Sequence, residues 1–116
     1  MTESGPRIEF DEVQIGIGVK PLAQHGFVII ENGTLFLLGT QRQPIDSAPL
    51  ALVTAAKMPF TMGRTLRVTV NGTKYTVTPS WGRYLGVPSA GLLAKDGRSA
   101  SKLLLQVIER GDTEPV

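Results

Sequence analysis

The stretch "LRVTVNGTKYTV", residues 66–77, alternates apolar and polar side chains on both sides of an Asn-Gly pair. Counting outward from a two-residue loop, Leu66 faces Val77 and Val68 faces Tyr75 on one side. Arg67 meets Thr76 and Thr69 meets Lys74 on the other. A slip of one residue would turn every apolar side chain outward, so pattern and turn specify the same register. Asn-Gly also supplies the two positive-φ residues that a type I′ hairpin turn requires. An antiparallel β fold is the expectation that follows.

A second Asn-Gly, at 32–33, separates "FVII" from "TLFLL". The same count sets Ile30 against Leu35 and Val28 against Leu37 on one face, and Ile29 against Phe36 and Phe27 against Leu38 on the other. Both faces are apolar, so both need a cover. Upstream, "VQIGIGV" at 13–19 reads as a strand whose Gly16 and Gly18 leave one face bare, for close approach of a ligand or backbone or for sharp curvature. Between the hairpins, "SAPLALVTAAKMPF" at 47–60 fits a helix capped by Ser47 or a strand following "PID". The short span between Pro49 and Pro59 favours the strand. Met58, Phe60 and Met62 around Pro59 form an apolar hairpin tip, expected to fill a barrel end, with contact to a partner or membrane as the alternative.

Residues 79–98 are rich in glycine and read as a long irregular connector, the place where function is expected. The chain then closes with "SASKLLLQVIERG". Ser99 or Ser101 caps a short helix, Leu103, Leu104, Val107 and Ile108 form its apolar stripe, and Gly111 ends it after Arg110. Six or seven strands followed by one helix make a mainly β chain, a small antiparallel barrel or two-sheet meander closed by an amphipathic helix. The simplest arrangement lays that helix over the second face of the first hairpin.

The 116 residues fit a single domain, taken as 7–111 between loose ends at 1–6 and 112–116. Hydrophobic residues make up 41% and charged residues 19%, the balance of a globular chain. No apolar run approaches the ~20 residues of a membrane-spanning helix, and the polar start "MTESGPRIEF" shows no secretory leader. The chain has no cysteine, which excludes disulfides and thiolate chemistry and suits a cytoplasmic location. Residues 47–95 hold six bases (Lys57, Arg64, Arg67, Lys74, Arg83, Lys95) and no acid. These either form an anion-attracting middle or are scattered as solubilising charges.

The run "HGFVIIENGTLFLLGTQRQPIDSAPLALVTAAK", then "TLRVTVNGTKYTVTP", then "SKLLLQVIER" resembles, in element order, the pleckstrin-homology-like superfold and its small bacterial and GRAM-type members. The resemblance implies a β meander closed by a helix and a binding or scaffolding role. Two features depart from it: the insertion at 79–98, and residues 13–31, which offer only Lys20 where phosphoinositide-binding members cluster bases.

Catalytic constellations are sparse. His25, the sole histidine, reads as a turn residue, and the carboxylates Glu9, Asp11, Glu12, Glu31, Asp46 and Asp96 do not define a glycosidase-like pair. "GIGVKP" and "GRYLG" lack the strand–turn–helix setting of a phosphate loop. "SWGRYLG" at 80–86 is the best recognition segment, with Trp81 and Tyr84 flanking Arg83, unless Trp81 plugs a barrel end and Tyr84 packs under the helix. The expectation is a non-enzymatic module without cofactor or metal that binds a protein partner or self-associates. A lipid headgroup has no support from sequence. The alternatives are an OB-like barrel binding single-stranded nucleic acid through Arg64, Arg67, Lys74, Trp81, Arg83 and Tyr84, and a structural assembly subunit joined through sheet edges.

Overall fold

A computed structural model describes residues 7–85 and 92–111. The side chains of Tyr84, Leu85, Leu92 and Leu93, and the expected loose ends at 1–6 and 112–116, lie outside that description. Among the described residues the chain runs β1 (Arg7–Ile17), β2 (Lys20–Glu31), β3 (Thr34–Leu38), β4 (Pro44–Pro49), a 3₁₀ turn at Leu50–Leu52, β5 (Thr54–Lys57), β6 (Leu66–Val70), β7 (Thr73–Thr78), β8 (Trp81–Leu85), β9 (Leu92–Ala94) and the helix α1 (Gly97–Arg110). The fold is mainly β with one C-terminal helix.

Both hairpins have the register that their sequences dictate. Val28 pairs with Leu37 and Ile30 with Leu35 in the first; Leu66 pairs with Val77 and Val68 with Tyr75 in the second. Their turns use positive φ at Asn32 and Gly33 (52° and 74°) and at Asn71 and Gly72 (52° and 82°). The segment 47–60 is extended on both sides of the short 3₁₀ turn, so neither the α-helix nor one unbroken strand forms there.

The strands form one antiparallel sheet with the path β4-β3-β2-β1-β7-β6-β5, and β8 and β9 branch from it. The branch arises on β1. Its second half pairs with β7 through Gln14–Gly16, whereas its first half pairs with β8 through Arg7–Asp11. A bulge between Phe10 and Val13, with Glu12 at φ 51°, shifts the alternation so that Ile8, Phe10, Val13 and Ile15 all face the core. The connector 79–98 is therefore not wholly irregular, since β8 is paired along its described length.

Two glycines make room for this packing. A Cβ on Gly26 would sit 2.5 Å from the Leu38 carbonyl oxygen, and one on Gly82 would sit 2.9 Å from the Phe10 ring and 3.2 Å from Leu103. Helix α1 buries Ala100, Leu104, Val107 and Ile108 against this core, with Leu103 partly buried beside them. Its cap is Asp96, whose carboxylate accepts from the Ser99 backbone N–H at 2.9 Å, rather than a serine. Ser101 is buried on the inner face instead. Gly111 closes the helix in the left-handed conformation.

The helix packs on β5, β8 and β9, not on the outer face of the first hairpin. That face is covered by charged chains. The Arg42 guanidinium stacks 4.2 Å from the Phe27 ring centre and reaches Glu9 at 3.4 Å, while Arg7 pairs with Glu9 at 3.6 Å. The aliphatic stems of arginine shield apolar surface while the charged heads stay hydrated.

The sheet curls but is not closed into a barrel. Pro44 and Pro49 bracket β4 and cannot donate to a further ladder. Side chains bridge the gap instead. Asn71 Nδ2 donates to Asp46 Oδ1 and to the Ser47 carbonyl, both at 2.8 Å, and Tyr75 Oη donates to Asp46 Oδ2 at 2.7 Å. Burial works to raise the Asp46 pKa, but hydrogen bonds from Tyr75, Asn71 and the Ser47 N–H outweigh it and hold the carboxyl below its ordinary value. Burial, with the hydrogen bond to Asp46 and its charge, pushes the Tyr75 phenol up to about 12.

Candidate binding surface

The β5–β6 connection, residues 58–65, departs furthest from what folding alone asks of a loop. Phe60 is fully exposed and Met62 is 71% exposed, yet both hold left-handed backbone, at φ 65° and 57°. Bulky side chains rarely adopt that region, at a cost of about 1–2 kcal/mol per residue. Gly63, at φ 78°, is suited to it.

Hydrogen bonds hold this conformation from within and from the helix. Met58 N donates to the Thr65 carbonyl and Arg64 N to the Thr61 carbonyl, each at 3.0 Å, and Thr61 Oγ1 donates to the Met58 carbonyl at 2.8 Å. From α1, Arg98 Nε donates to the Met62 carbonyl at 3.1 Å and the buried Ser101 hydroxyl donates to the Arg64 carbonyl. The tip is thus an ordered apolar projection, flanked by the exposed bases Lys57, Arg64 and Arg98. It does not fill a barrel end.

The six residues singled out from sequence fall into separate places. Arg67 and Lys74 are exposed on the outward face of the β6–β7 hairpin, as its register requires. Arg64 belongs to the tip loop. Trp81 and Arg83 lie on the outer side of β8 beside β1, and no strand pairing joins β8 to β6. Trp81 is 41% exposed, so it plugs nothing. Arg83 forms an ion pair with Asp11. The Tyr84 side chain lies outside the described residues.

Trp81, Arg83, Asp11 and Glu12 border an open recess of about 420 Å³. A second cleft, of about 260 Å³, runs over the glycine face of the β1–β2 hairpin and is lined by Gln14, Gly16, Lys20, Thr76 and Thr78 among others. His25 Nδ1 lies 2.6 Å from Glu12 Oε1, and both side chains are more than half exposed. Sequence distance hid this contact, because the β1 bulge turns Glu12 toward β2. Among the described residues no three His, Cys, Asp or Glu side chains gather as a metal site would need. Nor is any described helix long and apolar enough to cross a membrane.

Sequence reasoning placed Phe60 and Met62 at an apolar tip and ranked filling a barrel end above exposure to a partner or membrane, and it missed Arg98 altogether. The available signal was "PFTMG", where two large apolar residues sit among turn formers with no facing apolar partner at strand spacing. Comparison with known proteins finds no matching family model and no similar curated protein.

Proposed function

We propose that this chain is a non-catalytic binding or scaffolding module whose contact element is the 58–65 loop. The observation that carries the reading is Phe60, a fully exposed aromatic held in left-handed backbone by hydrogen bonds from its own loop and from α1. Backbone strain and exposed apolar surface both cost stability, so a residue combining them serves something other than folding. A pre-ordered aromatic also loses little side-chain freedom on contact, which suits an anchor. The meander-then-helix order supports keeping the pleckstrin-homology-like resemblance within this proposal, and the absence of cysteine supports a cytoplasmic setting.

Nucleic-acid binding is the weaker reading. Arg67 and Lys74 share a face, but no described aromatic stands beside them on it, and Arg83 already has Asp11 as its counter-ion.

The test compares two hairpin tips of the same chain. A photo-crosslinking amino acid replaces Phe60 in one variant and Asn32 in another, and both are irradiated in cells. Adducts formed from position 60 and not from position 32 support the reading. Equal labelling at both positions removes it.

A further inference from the structure

We propose that the 58–65 loop docks on an anionic lipid surface. Phe60 and Met62 enter the boundary between headgroups and acyl chains, and Lys57, Arg64 and Arg98 lie against the lipid phosphates. The inference rests on the reading above that this loop is the contact element, and it names the surface contacted.

Shape is the first argument. Pro59, Phe60 and Met62 are all exposed on one projecting loop. The two clefts are bordered by other residues and share only Thr65 with it. A projection offers no groove to grip a peptide, whereas a fluid interface moulds itself around one. Aromatic side chains favour that interface, with an apolar body below and polar neighbours above.

Charge is the second. Lys57 adjoins the loop directly, Arg64 lies within it, and Arg98 is bonded to its Met62 carbonyl, leaving the rest of an exposed guanidinium free to face outward. Asp96 accepts the Ser99 N–H as the helix cap and lies close enough to Arg64 for mutual attraction. The loop therefore joins an apolar insertion to a cationic rim, the two signals whose combination gives stable peripheral binding where either alone is marginal. Order is the third. Because the loop is already braced, contact does not have to fix its backbone.

The experiment is co-sedimentation of the full chain with vesicles of phosphatidylcholine alone and of phosphatidylcholine mixed with phosphatidylserine. Binding is expected to the mixed vesicles, weakly to the neutral ones, and to fall as salt is raised. Phe60→Asn is expected to weaken it about tenfold, since burial of one large apolar side chain is lost. Asn accepts left-handed backbone, so this variant keeps its fold, checked by thermal melting. Lys57→Gln and Arg64→Gln are each expected to weaken binding about fivefold on anionic vesicles. Phe60→Trp in a Trp81→Phe background is expected to shift its fluorescence to the blue when vesicles are added.

No binding to anionic vesicles at low salt overturns the proposal, as does binding that Phe60→Asn leaves unchanged. If vesicles fail while a crosslinker at position 60 captures a protein or a second copy, the lipid surface is rejected and the loop remains the contact element. If neither is captured, both readings fall.

Discussion

At one end of β6 the chain turns through Asn71 and Gly72; at the other it turns through Phe60, Met62 and Gly63. All five residues hold positive φ, between 52° and 82°. Asn71 and Gly72 are residues that accept this backbone, and Asn71 also spends its side chain on Asp46 and Ser47 across the gap. Phe60 and Met62 resist it and bury little in return. The first turn is explained wholly by what it does for the fold. In the second, hydrogen bonds within the loop and from α1 hold the backbone, while the exposed Phe60 and Met62 add little to the core. Strained, exposed apolar residues of this kind are the ground for the contact role proposed above.

The comparison breaks most visibly at Asp46. Asp46→Ala removes the acceptor of Tyr75, whose side chain is buried, and of Asn71. Loss of a charge-assisted hydrogen bond over a buried donor predicts about 2–3 kcal/mol less stability in urea unfolding.

Next in size is the alkaline limit of the same latch. The Tyr75 pKa is about 12 when folded and 10.0 when unfolded, so its contribution is complete below pH 10 and is lost as pH rises toward 12. Unfolding followed across that window is expected to show a decline of about 2 kcal/mol, absent in Tyr75→Phe. At the acid end Asp46 acts with the opposite sign. Its folded pKa lies below 3.8, so its contribution is present above that pH and is lost as pH falls further.

A smaller effect separates the two Asn-Gly turns. Asn71→Ala is expected to cost about 1–2 kcal/mol, from the strained left-handed backbone together with two lost hydrogen bonds. Asn32→Ala carries only the backbone part, about 0.5–1 kcal/mol. Equal losses in the two would show the bridge to β4 to be idle.

The smallest effect has the reverse sign. Phe60→Asn relieves strain without removing buried surface and is expected to raise stability by a few tenths of a kcal/mol, read as a higher melting temperature. A clear fall would make Phe60 a structural residue and end the contrast.

The first hairpin was legible from its Asn-Gly turn alone, because its strands are apolar on both faces, whereas in the second hairpin loop length and alternation agreed on the register. The helix stripe was legible for the same reason, though its cap was not: Ser99 and Ser101 drew attention from Asp96, which stands where the first free N–H groups point. Strand β8 was hidden by Gly82. Its inward position holds a glycine so that Phe10 and Leu103 can approach, which erases the apolar beat by which a strand is recognised. Barrel and open meander stayed alternatives because sequence shows which strands exist and not whether the last ladder forms. The dispersal of Arg64, Arg67, Lys74, Trp81 and Arg83 depends on the branching of β1 between β7 and β8, and no run of residues announces a branch.

A curled sheet joined across the gap by Asp46 and the Ser47 carbonyl is expected to open along that line while every strand ladder stays whole. Amide protons near β4 and the tip of the second hairpin will then exchange with solvent through a shallow opening, well before the global one that governs β1 and β2. The open edge between β4 and the second hairpin is thus the part of the sheet expected to loosen first.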